Sequence, residues 1–283
     1  MEIFNTQNAL WEYLKAPRAQ AKKIALVPTM GALHEGHMSL IIEGKKHADL
    51  VVCSIFVNPT QFNDPKDLEK YPRPIEQDIK LLEEQGCDIL FLPTVEEMYP
   101  NKNEEWHIDL GRLDQIWEGA QRPGHFQGVT QIVYKLFNLV QPEVACFGQK
   151  DFQQVMVIQK MIDIKQLNIK LIICPIIRSQ EGLALSSRNS RLSEAGKEKA
   201  LLLYRSLKIV KEGFNQHVEL EKLQHIAEEK IKEEEGLELE YFAISETRTL
   251  ERAMHIEQDK QYVAHVVAWI EGVRLIDNML LND

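Results

Sequence analysis

Five short runs in the N-terminal part of the chain carry almost no polar side chain: Ile24 to Val27, Leu50 to Val57, Ile89 to Leu92, Val144 to Phe147 and Leu171 to Ile177. Apolar runs of this length that do not alternate suit strands covered on both faces of a parallel sheet. Between them, apolar residues recur at three- and four-residue steps over His37 to His47, Ile75 to Gln85, Val129 to Val140 and Phe152 to Ile164. Ile132, Leu136, Leu139 and Val140 are one such set, and the spacing predicts helices. Strand–helix alternation predicts a doubly wound α/β sheet, which binds ligands outside the carboxyl ends of its strands.

The pattern changes after Ser190. Ser193 to Phe214 reads as a long helix with Ser193 as its N-cap. A charged helix over Leu220 to Glu235 and strand-like segments at Glu240 to Ile244, Tyr262 to Ile270 and Val273 to Ile276 predict a smaller α+β module with an antiparallel sheet. The expected division is 1–177 and 178–283. A net charge of −10 argues against a sequence-independent grip on nucleic acid, which needs a basic footprint. No apolar stretch approaches the ~20 residues of a membrane span, and Met1 to Asn5 lack a basic-then-apolar leader. Cys53, Cys87, Cys146 and Cys174 form no C-x-x-C pair. They are expected as reduced core residues of a cytoplasmic protein.

Pro28-Thr29-Met30-Gly31-Ala32-Leu33-His34-Glu35-Gly36-His37 directly follows the first apolar run. It reads as the end of a strand, a tight turn and the first turn of a helix. Unpaired N–H groups and the helix dipole favour an anion there. Gly31 and Gly36 lack a Cβ, so a phosphate can approach the main chain. His34 and His37, three residues apart, share a helix face and are expected to meet phosphate oxygens.

Four other segments follow strand candidates or precede helices. Asn58 and Gln61 each donate and accept, so they suit a substrate with hydroxyls and a carboxylate, or else form a polar turn held by an Asn–Pro step. Gly148-Gln149-Lys150-Asp151 puts a compact positive charge at a helix start. Asp151 reads equally as N-cap or ribose partner, and Gln154 is expected to face the pocket. Arg178 and Leu185-Ser186-Ser187-Arg188 offer hydroxyls and a planar fork to a polyphosphate, with nothing obvious to bond before it arrives. Arg122, in the glycine-rich stretch Gly119 to Gly128, reads as a flap residue that pairs with an anionic substrate. Ile132 and Val133 beyond it read as core or as an apolar wall. Glu76 and Asp78 are the acidic candidates for Mg²⁺, although the helix dipole alone accounts for Glu76.

Taken in order, Pro28 to His37, Phe56 to Phe62, Tyr71-Pro72-Arg73, Arg122 to Val129, Phe147 to Gln154 and Leu183 to Asn189 resemble the pantothenate synthetase, or pantoate–β-alanine ligase, family. The likeness covers essentially the whole chain. It implies a Rossmann-like, nucleotidyltransferase-type N-terminal domain, a small C-terminal domain and a homodimer. It implies ATP, Mg²⁺, (R)-pantoate and β-alanine as ligands, with pantothenate, AMP and pyrophosphate as products, in pantothenate and coenzyme A biosynthesis. By position, Met30, Gly31, Ala32, Leu33, His34, Glu35, Gly36 and His37 match the family's first ATP loop, with His37 as proton donor. Gly148, Gln149, Lys150 and Asp151 match a second nucleotide segment. Ile177, Leu185, Ser186, Ser187 and Arg188 match the segment that closes over the phosphates. Gln61 and Gln154 match the family's pantoate-binding glutamines, and the resemblance implies that Gln61 also contacts β-alanine. Gln149 stands where many relatives have glutamate. Gln77 stands where some have a second aspartate, which leaves Asp78 as the metal carboxylate. His34, His37 and Lys150 are then the groups expected to stabilise phosphate charge.

Overall fold

A computed structural model describes residues 1–101 and 104–282. The chain forms two compact units. The first comprises Met1–Gly148 and Gln153–Pro175; the second comprises Gln149–Phe152 and the chain from Ile176 onward.

The first unit is built on six strands: β1 (Glu2–Phe4), β2 (Ile24–Thr29), β3 (Leu50–Ile55), β4 (Ile89–Phe91), β5 (Val144–Gly148) and β6 (Lys170–Cys174). All pairings are parallel, in the order β1-β4-β3-β2-β5-β6. The strand order reverses between β2 and β5, and a sheet of this kind opens a crevice at that switch point. Val27, Cys53, Leu90 and Cys146 fill one face of the sheet together with Leu40 and Ile41 of the helix Glu35–His47. Leu26 and Val52, between those positions, are buried as well. Burial on both faces is why these strands read as unbroken apolar runs.

The N-terminal strand and the helix Gln7–Ala19 were not among the expected elements. β1 spans three residues with Glu2 exposed, too short to show a period. The helix is capped by Thr6 and buries Leu10 and Leu14, but it carries Pro17 in its last turn, and proline there masks the pattern. β6 ends at Cys174, short of the expected Ile177, because Pro175 follows; a proline cannot donate to the ladder.

The second unit holds the helices Glu194–Asn215 and Leu220–Lys232 and an antiparallel sheet of β7 (Leu237–Glu246), β8 (Tyr262–Ile270) and β9 (Val273–Leu280). Ser193 caps the first helix, accepting from the Gly196 amide. Leu203, Leu207 and Val210 pack on Phe242, Ile244, Val266 and Ala268. All four cysteines are free and buried. Among the described residues, no helix is long and apolar enough to cross a membrane.

Candidate active site

At the carboxyl end of β2 the chain makes an unusual turn. Gly31 has φ +82° and Ala32 φ +51°, both left-handed. Glycine takes that conformation freely, whereas alanine is strained there and must be held. Asp78 holds it. Its two carboxylate oxygens accept the Ala32 and Leu33 amides, each at 2.8 Å. The side chain is sealed from solvent, and burial raises its pKa against the opposing pull of the two amides. Thr29 ties the same turn to β3 by donating to the Ser54 carbonyl at 2.7 Å.

His34 is the N-cap of the helix Glu35–His47, with His37 three positions on. Its Nδ1 accepts the Gly36 amide at 3.1 Å, and the His37 Nδ1 accepts the His34 amide at 3.3 Å. The two imidazoles thus form a capping box, a job usually done by Ser or Thr with Glu or Gln. The ring centroids are 4.1 Å apart. A main-chain N–H only donates, so each Nδ1 must be unprotonated and each ring proton sits on Nε2. Gly36 has a reason the sequence did not reveal: a Cβ there would lie 2.8 Å from the His34 ring. Its missing side chain makes room for the imidazole.

The turn after β3 carries Asn58 and Gln61, 1% and 8% exposed. Asn58 donates to Gln61 Oε1 and to the Gly128 carbonyl, both at 3.1 Å. Its own oxygen accepts from Tyr99 at 2.8 Å and Thr60 at 3.1 Å. Both donors and both lone pairs are therefore used within the protein. Asn58, expected as a substrate contact, is placed to orient Gln61 instead. Burial pushes the Tyr99 phenol up to about 12, which keeps it a donor to Asn58. Gln61 also reaches the first loop, its Nε2 lying 3.1 Å from the Met30 sulfur.

The glycine-rich stretch packs directly on this turn. His125 Nδ1 lies 2.7 Å from the Gln61 carbonyl, and Arg122 Nη2 lies 3.5 Å from it. A Cβ on Gly128 would stand 2.4 Å from the Thr60 carbonyl oxygen, so only glycine permits the approach. Ile132 and Val133 are buried on the same helix. Gln153, unremarked in the sequence, is buried beside the half-buried Gln154. It donates to the Leu113 and Ile116 carbonyls at 2.7 and 2.9 Å and accepts the Glu118 amide at 3.0 Å. That fixes the segment leading to Arg122.

In the second unit, Gln149–Asp151 form a short 3₁₀ turn with Lys150 half-buried and Asp151 exposed. Ile177 and Leu185 are joined by a main-chain bond of 2.9 Å across the intervening loop. Ser186 caps the turn Ser187–Arg191, accepting the Arg188 amide, so its hydroxyl is engaged without any ligand. Arg178 is not aimed at a polyphosphate. It forms a two-pronged pair with Asp277 at 2.6 and 2.8 Å. Lys150, Ser186 and Asn189 line one small cavity of about 10 Å³ with Asp277.

Asp78 does not fit the expected metal role. It is fully buried, and each oxygen already takes a loop amide. Among the described residues, no group of three His, Cys, Asp or Glu side chains is arranged to hold a metal.

Known proteins are similar to this chain over essentially its whole length. Residues 2–280 match the family described as pantoate-beta-alanine ligase. A pantothenate synthetase of Christiangramia forsetii is 43% identical, with 100% of each chain covered. One from Cytophaga hutchinsonii is 45% identical over 95% of each. The crystal structure of the Thermus thermophilus pantothenate synthetase superposes with a TM-score of 0.93 at 37% identity, covering 100% of both chains. The pantoate-beta-alanine ligase of Francisella tularensis, crystallised with a β,γ-ATP compound and β-alanine, superposes with a TM-score of 0.82 at 35% identity, over 99% of this chain and 98% of that one. Full-length identity of this order, on a parallel sheet whose β2 loop carries both histidines, places this chain in the pantoate–β-alanine ligase (pantothenate synthetase) family.

Proposed function

We propose that this ligase condenses (R)-pantoate with β-alanine by way of a pantoyl-adenylate, consuming ATP and releasing pyrophosphate and AMP. The observation that carries the reading is the histidine capping box at the end of β2. It leaves Nε2 of His34 and His37 as the protonated ring nitrogens at a helix start, where phosphate is favoured. The Francisella complex with its ATP compound and β-alanine supports the choice of ligands.

A carboxylate oxygen is a poor leaving group, so amide formation needs activation. The pantoate carboxylate attacks the α-phosphorus of ATP and pyrophosphate departs. The β-alanine amine then attacks the acyl carbon and AMP departs. In the first unit, Met30 to His37 receive the nucleotide, with His34 and His37 donating from Nε2 to phosphate oxygens. This assigns His37 as a neutral hydrogen-bond donor. Gln61 and Gln154 hold pantoate, Gln61 also faces β-alanine, and Arg122 answers the substrate's negative charge. Gly148 at the end of β5 is assigned to the nucleotide as well. So are Gln149 to Asp151, Ile177 and Leu185 to Arg188 of the second unit, with Lys150 as a point charge for the displacement. Positioning and electrostatics dominate, with little covalent work for the protein. Mg²⁺ enters with the triphosphate as part of the substrate, and no step is assigned to it.

The reading includes a cytoplasmic homodimer in pantothenate and coenzyme A biosynthesis; sedimentation velocity checks the dimer. The reaction itself is tested by pyrophosphate release with MgATP across a panel of hydroxy acids, with and without β-alanine. Release should require pantoate, and AMP should turn over only when β-alanine is present. Equal release with every hydroxy acid would contradict the pantoate assignment. Multiple turnovers of pyrophosphate without an amine, with the AMP moiety released as a stable conjugate and no free AMP, would point to a nucleotidylyltransferase.

A further inference from the structure

Asn278 lies on β9, 128 residues from Lys150 in sequence, and is 2% exposed. Its Nδ2 donates to the main-chain oxygens of Gln149 at 3.0 Å and Lys150 at 2.9 Å. Its Oδ1 accepts from Gln149 Nε2 at 3.2 Å. One side chain therefore holds three groups of a three-residue turn.

Asn278 is itself fixed. Its amide donates to Asp277 Oδ1 at 2.8 Å, and its carbonyl accepts from Arg178 Nη2 at 3.3 Å. Arg178 completes the frame through its double bond to Asp277, a bond to the Gly182 carbonyl at 3.1 Å, and a stack 4.2 Å from the centroid of the Tyr204 ring. All of these residues belong to the second unit.

A lysine ammonium rides on a flexible four-carbon stem. Its reach is set by where its own main chain is pinned. A 3₁₀ turn this short has few internal bonds and poor hydrogen-bond geometry, so the pin must come from outside it. The Asn278 amide is that pin, and Gln149, unlike a glutamate, can donate back to it.

We propose that Asn278 is a positioning residue for Lys150: it sets the Gln149–Asp151 turn so that the ammonium serves adenylation. This rests on the assignment of Lys150 to the phosphates made above.

A double-mutant cycle on the full-length enzyme tests it. Pantoate-dependent pyrophosphate release is measured for wild type, Asn278→Ala, Lys150→Ala and the double variant, with thermal melts of each. Asn278→Asp, which keeps the volume but removes the amide donors, is measured alongside. Both single changes at Asn278 should lower kcat by roughly 10- to 100-fold, the scale of a misplaced catalytic group. KM for MgATP should move by less than about threefold, because the effect lies in the displacement and not in ground-state binding. In the Lys150→Ala background, Asn278→Ala should cost less than about a further twofold, since coupled residues are not additive. Losses that multiply, a folded Asn278→Ala enzyme with wild-type kcat, or unfolding of both Asn278 variants would each overturn the positioning role. A Lys150→Ala enzyme with wild-type kcat would instead sink the assignment of Lys150.

Discussion

The Nδ1 of His37 accepts the main-chain amide of His34 at 3.3 Å, while the His34 ring in turn accepts the Gly36 amide. One pair of imidazoles both caps the helix Glu35–His47 and fixes which ring nitrogens keep their protons. Stability and chemistry are therefore joined at the same two residues, and a substitution can part them.

Glutamine at position 37 does so. At the third helical position a glutamine carbonyl can accept the cap amide, as in the usual capping box, but it brings no imidazole. His37→Gln should keep thermal stability near wild type, while His37→Ala should lose about 1 kcal/mol with the cap. Both should slow adenylation by on the order of 10²- to 10³-fold, the cost of removing one donor to developing charge. Single-turnover pyrophosphate release and melting curves decide this. Wild-type rates in His37→Gln would confine His37 to capping.

Asp78 gives a pH prediction. Burial raises its carboxyl above the ordinary carboxylate value, so the folded chain binds its proton more tightly than the unfolded chain does. The contribution of this group to stability is therefore full below the unfolded value of about 3.9 and is lost as pH rises through the folded value. Asp78→Asn does not titrate. Wild-type stability relative to that variant should grow as pH falls through this window, as read by urea denaturation at a series of pH values. A difference that shrinks toward acid would contradict the raised pKa.

Gly128→Ala tests the contact between the glycine-rich helix and the Asn58–Gln61 turn. The added methyl would stand 2.4 Å from the Thr60 carbonyl oxygen. Overpacking of this kind costs roughly 1–3 kcal/mol and must push the turn away. Pantoate KM should rise with little change in ATP affinity. An unchanged pantoate KM in a destabilised protein would show that the turn does not shape the pantoate pocket.

Gln61→Leu is the direct counterpart. It keeps the volume and leaves substrate groups unpaired, at roughly 1–3 kcal/mol for each. Calorimetry should find pantoate binding weakened and ATP binding nearly intact; equal losses for both ligands would indicate a folding defect.

The inner strands β2 to β5 were legible because they are buried on both faces, β6 because its run is apolar although Ile173 stands exposed, and the helices between them because their apolar residues repeat. β1 escaped because three residues show no period. The loop after β2 was legible as a strand–turn–helix with two histidines, yet the sequence concealed why Gly36 is glycine and what holds Ala32 left-handed. Those answers lie with the His34 ring and with Asp78, and no local pattern announces a contact between distant segments. Asn58 misled for a related reason. Its donors and acceptors suit a substrate on paper, but Tyr99 and Gly128 had already claimed them. Asn278 gave no signal at all, since a single asparagine in a strand is chemically mute until its partners are known.

The central claim is activation of pantoate as an acyl-adenylate, and the fate of a carboxylate oxygen tests it most directly. Pantoate labelled with ¹⁸O in both carboxylate oxygens is turned over with MgATP and β-alanine, and the products are examined by mass spectrometry. Attack of the carboxylate on the α-phosphorus leaves its oxygen on AMP when the amine displaces it. The account predicts one ¹⁸O per AMP and one retained in the new amide carbonyl. Label in pyrophosphate or orthophosphate, or AMP free of label, would contradict it.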